Sequence, residues 1–315
     1  MIPLEDIRLA QATIASAALR TPLLRLDAPE SPAEIWLKLE NLQPIGSFKI
    51  RGAANAIRQA RPDELRSGVV TARAGNMAQG VAWAAREAGV SATIVVPDHA
   101  PATKLAAIER LGGRVIKVPF EEWWQTIEQG RFAGVEGLFV HPVQNELVMA
   151  GNGTIGLELV DHLGEFDTVL IPWGGGGLTV GIASAVKALR PGVRIVPVEP
   201  ETGAPLAASL AAGSPQGVDY RPSFVDGSGS RAILPRMWDA AQGLLDGSEV
   251  ATLEETAGAL RLLAERARVV AEGAGALAPA VALSGRAGEG RIVCIVSGGN
   301  IDSYKLATIL RGDIP

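Results

Sequence analysis

Short apolar runs alternate with longer stretches whose apolar residues recur at helical spacing, almost from one end of this 315-residue chain to the other. Residues 35–39, 68–71, 92–96 and 114–118 have the length and β-branched content of strands. Further along, 168–171, 194–198 and 291–296 share that character. Between them, residues 77–88, 103–111, 178–189 and 253–267 predict helices; in the first, Met77, Val81, Ala84, Ala85 and Ala88 fall on one face. The alternation predicts parallel sheets covered by helices, an α/β fold. Glycines end or punctuate many elements, at Gly89, Gly112-Gly113, Gly192 and Gly298-Gly299. Residues 121–141, rich in Trp, Glu and Gly, read as the divide between two sets of strands. Residues 201–236, dense in Pro, Gly and Ser, read as the longest irregular region. A chain of this length has room for two lobes with a site between them.

Composition removes several function classes. The net charge is −5 and no Lys/Arg-rich run occurs, so there is no electrostatic footprint for nucleic acid. A single cysteine, Cys294, precludes an intramolecular disulfide and a thiolate metal cluster, and its apolar neighbours predict a buried strand position. The start of the chain lacks the basic-then-apolar layout of a signal peptide, and no apolar run approaches the roughly 20 residues of a membrane span. A cytoplasmic protein without a membrane partner is expected. His99, His141 and His162 show no metal-ligand spacing, and no Gly-x-Ser-x-Gly elbow is present.

Two segments carry chemistry. Gly46-Ser47-Phe48-Lys49-Ile50-Arg51-Gly52-Ala53 sets one lysine beside an aromatic wall, after the uncharged run Asn41-Leu42-Gln43-Pro44-Ile45. An amine in such surroundings loses solvation, its pKa falls toward neutrality, and it can attack an aldehyde. Far downstream, Gly174-Gly175-Gly176-Gly177 lies between the strand-like 169–173 and the helix-like 178–183. Strand, glycine turn and helix point successive N–H groups at a phosphate. No Gly-Lys-Ser/Thr follows, so this is not a nucleotide P-loop, and the tetraglycine does not continue as Gly-x-Gly-x-x-Gly. A lysine that forms an imine and a cradle that holds a phosphate are what pyridoxal phosphate requires of a protein.

The segment Glu40-Asn41-Leu42-Gln43-Pro44-Ile45-Gly46-Ser47-Phe48-Lys49-Ile50-Arg51-Gly52-Ala53 resembles the lysine motif of the serine/threonine dehydratases. These are fold type II pyridoxal phosphate enzymes, a group that includes serine racemase. The resemblance runs nearly end to end: Thr21-Pro22-Leu23, Gly75-Asn76, His141-Pro142, Ala150-Gly151-Asn152-Gly153-Thr154, the tetraglycine, Glu199-Pro200, Asp226-Gly227 and Ser297-Gly298-Gly299-Asn300. It implies the fold of the tryptophan synthase β-like enzymes, with two α/β domains and the cofactor in the cleft. Residues 1–47 plus 142–315 would form the larger domain, and residues 48–141 a smaller inserted one. It also implies a homodimer. By position, Lys49 would bond the cofactor and move the α-proton, and Phe48 would pack beside the ring. Asn76 would bond the ring's phenolic oxygen, Gly174, Gly175, Gly176, Gly177 and Leu178 would cradle the phosphate, and Ser297 would meet the ring nitrogen. A serine there is no counter-ion for a pyridinium, which favours loss of a β leaving group.

Three departures shape the expected substrate. Where the family has Ser-Ser-Gly-Asn-His, this chain has Arg73-Ala74-Gly75-Asn76-Met77. Without a hydroxyl at Ala74, two-base racemisation is not expected. Arg73 either pairs with a substrate carboxylate or turns to solvent, and Ala74, Gly75 and Met77 are carried as substrate-site positions beside it. The family's metal site retains Glu199 alone, with Pro205 where a carboxylate is required, so no metal is expected. Trp123-Trp124 stands where relatives carry polar residues near the substrate entrance, and Trp124 is a candidate for lining the pocket. The resemblance implies an ammonia-lyase that converts a threonine- or serine-like 3-hydroxy amino acid to a 2-oxo acid. The alternatives are a dehydratase for a bulkier or acidic 3-hydroxy amino acid, a β-replacement synthase, and a non-enzymatic cofactor carrier.

Overall fold

Ten strands order the chain in a computed structural model that describes residues 1–315. They are β1 (Leu23–Arg25), β2 (Ala33–Leu39), β3 (Val69–Ala72), β4 (Ala92–Pro97), β5 (Gly113–Val118), β6 (Leu138–Phe139), β7 (Thr168–Pro172), β8 (Arg194–Pro200), β9 (Glu249–Ala251) and β10 (Gly290–Val296). A six-stranded sheet has the order β1-β2-β10-β7-β8-β9, and a four-stranded sheet the order β5-β4-β3-β6. Every pairing is parallel except β1 with β2 at the sheet's edge. Strand β10 shows why an unbroken apolar run makes a central strand: Ile292, Cys294 and Val296 enter the core on one face, Val293 and Ile295 that on the other. Burial pushes the Cys294 thiol pKa well up, so it is inert filling.

Register sets the location of chemistry. Leu39 of β2 pairs with Val296 of β10, so these adjacent parallel strands end together. The Lys49 segment follows β2, Ser297 follows β10, the tetraglycine follows β7, and Arg73–Asn76 follows β3 of the other sheet. Ligands of parallel α/β sheets bind beyond the carboxyl ends of the strands, which is where all four segments lie.

Beneath the lysine segment lies a buried ionic cluster. Arg51 donates to both Glu40 oxygens (2.8 and 2.8 Å) and to Glu158 (2.6 and 3.0 Å), while Lys38 donates to Glu158 and to the Thr21 carbonyl. Thr21 Oγ1 donates to Glu40 (2.6 Å), and Arg51 also reaches Thr154 and the Leu19 carbonyl. Two cations balance two carboxylates, all but inaccessible to water. The guanidinium holds the Glu40 pKa down against the upward effect of burial, the largest single influence on it. The cluster ties β2, helix Lys49–Arg58 and helix Glu146–Leu163 together.

The structure corrects three of the sequence expectations. Residues 121–141 are not a divide: Phe120–Gln129 is a helix and β6 pairs with Val69 and Val70, so the segment belongs to the four-stranded sheet. The region 201–236 is interrupted by the helix Pro205–Ala212, which starts on proline at its first turn. The helix expected over 253–267 is α-helical only from Leu253 to Leu262 and widens into a π-turn at Leu263–Ala267, ending on Arg268 at φ 59°. Across the cleft between the sheets, Lys104 of helix Ala102–Arg110 bonds Asp226 (2.7 Å), and Thr103 donates to Asp302 (3.2 Å).

Candidate active site

Lys49 begins helix Lys49–Arg58, and the turn before it is stitched to the turn after β10. Phe48 N–H donates to the Ser297 carbonyl (3.0 Å), Gly299 N–H to the Gly46 carbonyl (2.9 Å) and Asn300 Nδ2 to the Ile45 carbonyl (2.9 Å). Those backbone bonds bring Lys49 and Ser297 together although 248 positions separate them (297 − 49). The Lys49 amine lies 4.8 Å from the centroid of the Phe48 ring. Its pKa is brought down to about 7, chiefly by burial and further by the Arg73 charge, against a smaller opposing effect of Glu272. A substantial fraction is therefore the neutral, nucleophilic amine near neutral pH.

Opposite lies the tetraglycine, between β7 and helix Gly177–Leu189. The N–H groups of Gly174 through Thr179 donate to no protein acceptor, as expected where a helix begins without a capping side chain. Gly176 has φ 92°, and a Cβ there would stand 2.6 Å from the Trp173 ring; at Gly175 one would meet Val143 at 2.5 Å. Only glycine lets this backbone take its path, leaving a row of free donors on an open face. Thr179 Oγ1, fully buried, has no partner either.

Asn76, the first residue of helix Asn76–Glu87, is fixed from both sides. Its Oδ1 accepts from Asn300 Nδ2 (2.8 Å) and its Nδ2 donates to Glu272 Oε1 (2.8 Å), which leaves one amide N–H free. Glu272 is buried, and its pKa is raised to about 8, first by desolvation and then by the Asp226 charge. It stands against the Ser297-Gly298 turn, where a Cβ on Gly298 would lie 2.5 Å from Glu272 Oε1. Ser297 is buried and its hydroxyl makes no protein hydrogen bond.

The remaining candidates separate. Arg73 follows β3 and is exposed, with no hydrogen bond or ion pair to the protein; its charge lowers the Lys49 and His141 pKa values. Both readings of Arg73, toward a substrate carboxylate and toward solvent, stay open. Ala74 and Gly75 lie beside it at the start of helix Asn76–Glu87, half-buried, with open space around Gly75. Met77 turns away into the core of the four-stranded sheet and is 2% exposed, so its side chain does not join the recess. Trp124 is likewise corrected. Its helix packs through Trp123 and Ile127 on the face of the four-stranded sheet opposite helices Lys49–Arg58 and Asn76–Glu87. Trp124 points outward and donates to Glu128 of the same helix (2.8 Å). Leu178 closes the cradle from the core side. Glu199 is spent on capping: its carboxylate accepts from Leu206 and Ala207 N–H (3.0 and 2.8 Å), and burial raises its pKa to about 7.

Sequence reasoning missed Glu272, and also His141 and Tyr220 as neighbours of Arg73. Glu272 carried a usable signal, being the one charged residue in the apolar stretch 269–284. Residues 14–298 match the family described as "Pyridoxal-phosphate dependent enzyme". The chain is 41% identical to the L-threonine ammonia-lyase of Thermotoga maritima over 319 aligned residues, which cover 99% of this chain and 79% of that one. It is 36% identical to the catabolic L-threonine dehydratase of Staphylococcus aureus, covering 99% and 92%. Among solved structures, maize serine racemase superposes with a TM-score of 0.87 at 32% identity, covering 98% of this chain and 97% of that one. A processed threonine deaminase isoform of Solanum lycopersicum gives 0.88 at 30%, covering 98% and 86%. With its lysine, its cradle of free backbone donors and its fixed amide gathered beyond the strand ends, this chain belongs to the pyridoxal-phosphate dependent enzymes.

Proposed function

We propose that the protein is a pyridoxal-phosphate-dependent ammonia-lyase that converts a threonine- or serine-like 3-hydroxy amino acid to a 2-oxo acid and ammonia. The observation that carries the reading is the neutral-range amine of Lys49 in a recess with a row of free backbone donors. Full-length similarity to threonine ammonia-lyases supports it.

The residues fit the cofactor group by group. Gly174, Gly175, Gly176, Gly177 and Leu178 would hold the phosphate with backbone N–H, on a path that a Cβ at Gly175 or Gly176 would block by meeting Val143 or Trp173. Asn76 offers its free N–H to the ring oxygen, Ser297 its unpartnered hydroxyl to the ring nitrogen, and Phe48 its ring as a wall. When bound, the cofactor links covalently to an amine and accepts the electrons released as the substrate's Cα–H bond breaks. Lys49 would hold the group through its amine and, once free, would take the α-proton. Ser297, a neutral side chain, would offer the ring nitrogen no counter-ion, which would favour elimination. The 3-hydroxyl departs as water, and hydrolysis with one water releases ammonia and the 2-oxo acid, so no water is consumed overall. Ala74 supplies no proton donor on the face opposite Lys49.

The division into residues 1–47 with 142–315 and residues 48–141 is part of this proposal, supported by the two separate sheets. The homodimer and the cytoplasmic setting rest on the family resemblance. Loaded protein incubated with L-threonine and L-serine should release equal amounts of ammonia and 2-oxo acid, and Lys49→Ala should release neither. Product that incorporates added sulfide in place of the hydroxyl would make it a β-replacement synthase instead.

A further inference from the structure

Four glutamates are buried: Glu40, Glu158, Glu199 and Glu272. Glu40 and Glu158 face Arg51 and Lys38, and Glu199 accepts two backbone N–H groups. Glu272 has neither kind of partner. Its side chain makes one hydrogen bond to the protein, accepting from Asn76 Nδ2 across the cleft (2.8 Å). The backbone beneath it is firmly set. Its N–H donates to the Gly298 carbonyl (3.0 Å), and Asn41 Nδ2 donates to the Val270 carbonyl (3.1 Å). Two glycines flank the carboxyl, such that a Cβ on Gly298 or Gly227 would lie 2.5 or 3.5 Å from Oε1. The chain enters this segment through Arg268 at φ 59°, the one residue other than glycine with positive φ. A side chain takes that conformation at a cost, and such residues cluster where a site must be held in place.

The amide that Glu272 meets can face only one way. Asn300 Nδ2 spends both its protons, one on the Ile45 carbonyl (2.9 Å) and one on Asn76 Oδ1 (2.8 Å). A reversed Asn300 would set its oxygen against the Ile45 carbonyl, so the backbone of the lysine turn fixes the polarity of this relay. Asn76 must then turn its oxygen to Asn300 and its NH2 group to the far side. Held by Asn300 alone, the Asn76 amide could still swing about that bond. The second bond, to Glu272, removes this freedom and leaves the remaining N–H a single direction. Near pH 7 Glu272 is chiefly the neutral acid, because burial and then the Asp226 charge raise its pKa to about 8. Its carbonyl oxygen accepts as an amide oxygen would, which makes glutamine its close mimic.

We propose that Glu272 is a positioning residue that aims the free N–H of Asn76 at the cofactor's phenolic oxygen. The proposal concerns the cofactor and not the substrate, so it stands apart from the ammonia-lyase reading. Full-length protein stripped of cofactor is reloaded with pyridoxal phosphate or with 3-deoxypyridoxal phosphate, which lacks that oxygen. Affinity is measured by equilibrium dialysis, with far-UV circular dichroism as the control for folding. Two variants without an acceptor are used, Glu272→Ala and the volume-conserving Glu272→Met, so that a folded one is at hand if alanine unfolds the protein. Both should bind pyridoxal phosphate about fivefold more weakly than wild type, the scale of one lost hydrogen bond. Both should bind the deoxy compound within about twofold of wild type. Glu272→Gln, which keeps an acceptor, should bind each compound within about twofold of wild type. In an Asn76→Ala background, Glu272→Met should change neither affinity by more than about twofold. Equal weakening toward the two compounds would reduce Glu272 to a structural role and overturn the proposal. So would undiminished affinity for pyridoxal phosphate in Glu272→Met, a Glu272→Gln variant as weak as Glu272→Met, or a full effect of Glu272→Met without Asn76.

Discussion

Lys49 owes its chemistry to its surroundings more than to its own side chain. Desolvation is the main reason its amine sheds a proton near pH 7, and Arg73 adds to it. The sign follows directly: the neutral fraction is small below about pH 7 and grows as pH rises through it, whereas an ordinary lysine stays charged to about 10.4. Reloading of cofactor-stripped protein should therefore accelerate with a midpoint near pH 7, followed by the absorbance of the bound cofactor. Removing the Arg73 charge should move that midpoint upward, and a midpoint unchanged in Arg73→Ala would remove Arg73 from the lysine's surroundings. At this scale the motif residues were legible because each is covalently close to its partners in a short, specific string. Glu272 was not, since contacts such as Asn76 to Glu272 join positions 196 apart and leave no local pattern.

Helix Gly177–Leu189 shows how an element, and not a side chain, can be the binding group. Its first turn is free only because Gly176, just before it, takes positive φ and neither it nor Gly175 carries a Cβ. Gly176→Ala would force an L-residue to φ 92° and set a methyl 2.6 Å from the buried Trp173. A left-handed residue alone costs about 1–2 kcal/mol, so cofactor affinity should fall at least about tenfold with far-UV circular dichroism unchanged. Affinity within a factor of two of wild type, by equilibrium dialysis, would show that the cradle tolerates a new path. Long buried strands such as β10 were readable because Ile292–Val296 is an unbroken apolar run. Strands β1, β6 and β9 were not: at two or three residues each, they exist through pairing with longer neighbours. The helix Phe120–Gln129 escaped because its tryptophans and glutamates read as an irregular linker, although Glu121 and Glu122 suit a first turn.

Across the whole molecule, the buried quartet of Lys38, Glu40, Arg51 and Glu158 joins the strand before the lysine to the helices on either side. Its charges balance, so removing one member leaves an uncompensated ion in the interior. Glu158→Ala should cost about 3–5 kcal/mol by chemical denaturation. The double change Lys38→Met with Glu158→Leu, which leaves the Arg51–Glu40 pair intact, should recover most of that loss. A double variant no more stable than the single one would show that volume, and not charge balance, governs the site.

The contact of Lys104 with Asp226 spans the mouth of the cleft, and it is of a different kind. Both side chains are partly exposed, and an ion pair of that sort contributes about 0–1 kcal/mol and weakens with salt. So slight a clasp adds little to the hydrogen bonds of Asn76 with Glu272 and Asn300 that also join the two sides. Where salt loosens this contact, retention of the cofactor would fall to the chemical bond at Lys49 and the glycine cradle.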